Sequence, residues 1–160
     1  MLPEVKHILY ASDMGKASRP AFLKAVSEAV NHGAEITYLH VMEPMNRSTE
    51  TMIESYLSED VLASLRDKGV EALKQKMIER IDVAIREELQ GITLPHGAPH
   101  NRIEAGSPHD VIMQVADEID ADLIVMGTRT HSSLSKLLVG STAQKVLQAS
   151  DIPVMVVPLN

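Results

Sequence analysis

The tripeptide Gly140-Ser141-Thr142 stands just before a run with helical spacing, Ala143, Val146, Leu147 and Ala149. A helix beginning there, capped by Ser141 or Thr142, turns unpaired backbone N–H groups and the positive end of its macrodipole toward whatever precedes it. That suits a phosphate. Gly140 allows close backbone approach, and the two hydroxyls add donors. Arg129, His131, Lys136 and Lys145 are near enough in sequence to balance anionic charge. Gly127 opens the loop that leads to this segment. Taken singly, these residues also have a plainer use, with Gly127 and Gly140 as turn glycines and Ser141 as a helix cap.

Two other candidates carry less. Asp13 follows the first apolar run and is a possible catalytic carboxylate, but no second carboxylate or base is paired with it in the sequence. It reads instead as a ligand-orienting or strand-end residue. His96 and His100 have the four-residue spacing that binds metal when both lie on a helix, yet Gly97 and Pro99 put them in a loop with no third ligand nearby. They read as surface histidines. Cysteine is absent, which removes disulfides, thiolate catalysis and cysteine metal sites together.

The elements that must position these residues alternate. Val5 to Ala11 is a short, nearly continuous apolar run, as expected of a strand buried on both faces, and it delivers Ala11, Ser12 and Asp13 to its end. Ser18 and Pro20 open a helix that Gly33 closes. Ile36 to Val41 reads as the second strand, carrying Val41 and Met42 to the same end. A polar stretch from Glu43 to Tyr56 reads as a surface loop or a frayed helix start. A long amphipathic helix follows from Ser58, with Gly69 as an irregularity and Gly91 at its end. Arg102 to Ala105 is a short third strand. Ser107-Pro108-His109-Asp110 is a helix start with Ser as N-cap. Asp122 to Met126 is a fourth parallel strand, Gly127 to Val139 a loop with a helical turn near Leu134 to Leu138, and Val154 to Val157 the last strand.

Five alternations of strand and helix predict a parallel sheet with helices on both faces, in one domain spanning residues 1–160. Ligands of such open sheets sit at the carboxyl ends of the strands, where the strand order reverses. The formal net charge of −7 and the lack of a basic stripe argue against a nucleic-acid partner. No apolar run approaches the length of a membrane span, and the first residues do not form a signal peptide. A cytoplasmic location is expected.

Taken together, the motifs resemble the universal stress protein family. The signature of that family is a glycine, two residues, a second glycine, nine residues, then Gly-Ser or Gly-Thr. Here it corresponds to G-T-R-T-H-S-S-L-S-K-L-L-V-G-S-T from Gly127. The segments K-H-I-L-Y-A-S-D, L-H-V, A-G-S-P-H-D-V-I, A-D-L-I-V-M-G and I-P-V-M-V-V-P extend the resemblance over nearly the whole chain. It implies a Rossmann-like sheet in the order 3-2-1-4-5 and a bound ATP, often with a divalent cation (Mg or Mn) between phosphates. It implies Asp13 beside the nucleoside and the backbone of Val41 reading the adenine edge. Gly127, Gly140, Ser141 and Thr142 would then cradle ribose and phosphates. Ala11, Ser12, Met126, Arg129 and Thr130 complete the expected site. A homodimer through Val154 to Val157 and an unidentified regulatory protein partner are implied as well.

One position departs from the signature. Thr130 stands where the second glycine belongs. A β-branched residue at a position requiring φ > 0 is strained by about 1–3 kcal/mol, up to about a hundredfold in affinity. The spacing to Gly140 is kept, and Thr130 offers a hydroxyl. A family member without nucleotide, working as a dimeric interaction module, is the first alternative. The second is an ATP-using α/β enzyme, but such enzymes tend to carry S-G-G-x-D-S or H-I-G-H motifs after the first strand. This chain has A-S-D-M-G-K there, so at most slow ATP hydrolysis is expected.

Overall fold

Apolar residues alternate along each strand because successive side chains point to opposite sheet faces. Ile8 and Tyr10 serve one face of the sheet; Leu9 and Ala11 serve the other. The structure, a computed structural model, describes residues 1–12, 18–42, 59–129 and 140–159, apart from the side chains of residues 59–68, 70 and 129. Its strands are β1 (His7–Ser12), β2 (Glu35–Met42), β3 (His100–Ala105), β4 (Leu123–Arg129) and β5 (Val154–Leu159). Its helices are α1 (Arg19–His32), α2 (Glu59–Glu88), α3 (Pro108–Glu118) and α4 (Ser141–Ala149). All four strand pairings are parallel, in the order β3-β2-β1-β4-β5. The expected open five-stranded sheet is therefore present, and its order reverses between β1 and β4.

Two aliphatic cores flank the sheet. α1 and α2 cover the first through Ala21, Phe22, Ala25, Val26, Ile81 and Ile85. α3 and α4 cover the second through Val111, Ile112, Val115, Ala143 and Val146. Burying a side chain of this size stabilises the fold by about 1.5–3 kcal/mol. Three of the four aromatic residues gather on the first face. Ring centroids lie 5.4 Å apart for Tyr10 and Phe22, 5.0 Å for Tyr10 and Tyr38, and 5.6 Å for Phe22 and Tyr38.

Several local expectations hold. Gly33 closes α1 in the left-handed region at φ 65°, and Gly69 interrupts α2 at φ 73°, ψ −167°. Others need correction. β4 runs past Met126 to Arg129, so Gly127 lies inside a strand and not in a loop. His100 is the first residue of β3, again not in a loop. Gly140 occupies the N-cap position of α4, and Ser141 is its first helical residue, so neither Ser141 nor Thr142 is the cap. Ser107 does take the N-cap position of α3, but its hydroxyl caps no backbone N–H. It meets His109 Nδ1 at 3.3 Å instead.

Edge strand β3 is tied to α3 by charge. Arg102 bonds both Glu104 and Glu118. The hydrogen bond to Glu104 is the main cause raising the Arg102 pKa, against the opposing effect of burial. Arg102, and after it Gln114, hold the exposed Glu118 carboxyl below its ordinary range by donating to it. No described helix is long and apolar enough to cross a membrane.

Candidate functional site

The strand order reverses between β1 and β4, and ligands of open sheets in this class bind outside the carboxyl ends of the strands at such a switch point. Parallel register brings four of the expected residues there. Ala11 pairs with Leu39 on one side and Met126 on the other, and Ser12 pairs with His40. Met126 is 4% exposed and belongs to the core beneath the switch point. Gly127 pairs with Val157. Val41, half-buried, lies one strand further out, opposite Glu104. The end of β2 is clamped there by a Gly106 N–H donating to Met42 O at 3.0 Å.

Two residues that sequence reasoning passed over organise the end of β1. Tyr38 Oη and Ser12 Oγ share a hydrogen bond of 2.7 Å. His40 Nδ1 lies 3.1 Å from Ser12 O. A carbonyl only accepts, so Nδ1 is the donor of this pair. The signal was available in the spacing Ile36, Tyr38, His40, Met42, which puts all four on one strand face. What it lacked was the register that sets His40 beside Ser12. A cavity of about 590 Å³ between α1 and α2 reaches Tyr38, with Phe22, Ile81 and Ile85 along its apolar side and Arg19 and Arg80 on its polar side.

Gly127 has a packing reason to be glycine. A Cβ there would fall 2.4 Å from Leu159 Cδ1 and 2.8 Å from its Cγ. Gly140 has none: its φ is −54°, and nothing lies within 4 Å of where its Cβ would be, among the described residues. The Gly140 carbonyl accepts from Gln144 N at 2.9 Å, closing the first turn of α4. The amides of Ser141, Thr142 and Ala143 precede that first bond and have no intrahelical acceptor. Ser141 is exposed and Thr142 half-buried, while Ala143 and Val146 seat the helix on the core. Lys145 is exposed on α4.

The expected residues Asp13 and Thr130 lie outside the described residues, as do His131 and Lys136. Arg129 is described by its backbone alone, as the last residue of β4. Among the described residues no cluster of three or more His, Asp or Glu is placed to hold a metal ion. The chemistry on offer is neutral hydrogen bonding at the end of β1 and an open helix start at α4.

A five-stranded parallel sheet in this order, with helices on both faces and a switch point between β1 and β4, defines a Rossmann-like α/β protein. Within that class the chain belongs to the universal stress protein family, whose pattern matches residues 4–158. A universal stress protein of Thermus aquaticus is 34% identical over 154 residues, covering 95% of this chain and 98% of the relative. The stress response protein NhaX of Bacillus subtilis is 30% identical over 163 residues, covering 94% and 96%. Among solved structures, the universal stress protein MJ0577 of Methanocaldococcus jannaschii superposes with a TM-score of 0.66 at 26% identity, covering 99% of both chains.

Proposed function

We propose that this chain is an adenine-nucleotide-binding regulatory member of its family, which holds ATP at the β1–β4 switch point and signals to a protein partner as a dimer. Gly140 carries the reading. Its backbone conformation is open to any residue, and the described residues leave room for a side chain, so no described contact demands glycine there. A ligand drawn close to the backbone does. The free amides of Ser141 and Thr142 and their hydroxyls are the donor set a phosphate needs. Gly127, Arg129 and Thr130 would complete the phosphate side. Ala11, Ser12, Asp13, Val41 and Met126 would face the nucleoside. A divalent cation would supply charge neutralisation between phosphates.

Two solved structures of this fold support the choice of ligand class. One universal stress protein is in complex with cAMP, at 20% identity and a TM-score of 0.57. The Archaeoglobus fulgidus protein is in complex with dAMP, at 16% and 0.53. The dimer would pair through the open edge of β5, whose Val154 to Val157 are all half-buried in the single chain. One observation favours the alternative of a dimeric interaction module without nucleotide. The Leu159 contact explains Gly127 without any ligand.

Calorimetric titration with Mg-ATP separates the two readings, and Gly140→Ala locates the site. The variant puts alanine at a helix N-cap and is expected to stay folded while losing about 0.5–1 kcal/mol, and its Mg-ATP dissociation constant is expected to rise at least about tenfold. No heat from the wild type at millimolar nucleotide refutes the nucleotide reading. Unchanged affinity in Gly140→Ala refutes the site.

A further inference from the structure

We propose that Leu159 is a positioning residue of the switch point, holding the end of β4 from the far side of the strand ladder. Its side chain stands where Gly127 lacks one. An ideal Cβ on Gly127 would lie 2.4, 2.8 and 3.2 Å from Leu159 Cδ1, Cγ and Cδ2, so the whole branched end of the leucine is centred on the glycine. Leu159 is 4% exposed and belongs to the core under α1 and α2.

The ladder runs unbroken to the end of both strands. Gly127 pairs with Val157, Thr128 with Pro158 and Arg129 with Leu159. Pro158 stands at an alternate position of this edge strand, where an N–H would point away from β4, so the ladder loses no bond to it. Side-chain packing of Leu159 on Gly127 adds to that ladder. The three residues it steadies, Gly127 to Arg129, form the end of β4 at the switch point. The first signature glycine is then a fold requirement with a functional consequence: it makes room for the leucine that fixes the strand end beside the nucleotide. That consequence rests on the nucleotide reading; the packing role does not.

The test compares Leu159→Ala with Val115→Ala, a control in α3 that loses buried apolar volume on the opposite core. Backbone amide exchange at Gly127, Thr128 and Arg129 is expected to speed at least about tenfold more in Leu159→Ala, after correction for global stability. Mg-ATP affinity is expected to fall at least about fivefold in Leu159→Ala and to stay unchanged in Val115→Ala. Gly127→Ala, which evicts the leucine, is expected to reproduce both effects, and to cost much less when Leu159 is already alanine. Should Leu159→Ala not fold, Leu159→Val is read in the same way.

Equal exchange in the two alanine variants overturns the proposal. So does a Gly127→Ala cost that is the same in both backgrounds, or an ATP affinity indifferent to Leu159. If the wild type takes up no Mg-ATP, the nucleotide reading falls on its own, and amide exchange still decides what Leu159 does.

Discussion

Gly106→Ala should be among the most damaging single-atom-scale changes in this protein, and its cost can be worked from two independent sources. Gly106 has φ 145°, a region that L side chains rarely adopt, and strain there costs about 1–3 kcal/mol. A Cβ at this position would also stand 2.9 Å from Val111 Cγ2, on the buried side of α3. Overpacking of that kind costs about another 1–3 kcal/mol. The lower chain entropy of the unfolded alanine variant makes it worse by nothing and better by about 0.4–1 kcal/mol at most where the native angle is accessible, which here it is not. The net loss is about 2–6 kcal/mol, against a total stability of about 5–15 kcal/mol for a domain. Urea unfolding read by circular dichroism measures it as a lowered midpoint, at unchanged slope if the unfolded state is unaffected. Adding Val111→Ala should recover the packing share and leave the backbone share. Because the Gly106 N–H clamps the end of β2, the folded variant should also bind Mg-ATP more weakly. A loss under about 0.5 kcal/mol would refute the reasoning.

Two further outcomes follow from charge and from the open edge. Glu118 has a folded pKa below its ordinary 4.5, so its share of stability is complete above that value and is lost as pH falls through the lower, folded one. The acid limb of the stability curve should be shallower in Glu118→Gln, and an unchanged limb would show that the Arg102 pair contributes nothing. Val156→Lys puts a charge on the outer strand β5; if the proposed dimer forms through that edge, sedimentation equilibrium should report a dimer for the wild type and a monomer for the variant. A wild type that sediments as a monomer sinks the proposed interface.

How much of this could be read from the residues divides by range. Strand order and element type follow from apolar periodicity and resemblance, because buried parallel strands and amphipathic helices write their pattern locally. Element ends did not follow. Gly127 looks like a loop residue on its own, and only Leu159, brought alongside by β5, shows why a strand continues through it. Ser107 has the right position for a cap, but its hydroxyl turns to His109, a choice made by rotamers and not by residue type. Tyr38 and His40 were hidden for the same reason as Gly127: their significance lies in the register with Ser12 across a neighbouring strand.

Glycine is where sequence is most ambiguous, since one letter stands for a positive φ, a tight contact or an open approach. The structure separates these. Gly106 combines a forbidden angle with a contact, Gly127 has the contact alone, and Gly140 has neither. A glycine that no described contact requires stands at the start of a helix whose first amides have no intrahelical acceptor. That makes Gly140, and not the earlier signature glycine, the position where substitution tests ligand binding without first testing folding. The signature treats the two glycines alike; packing assigns one to the sheet and, among the described residues, gives the other no role.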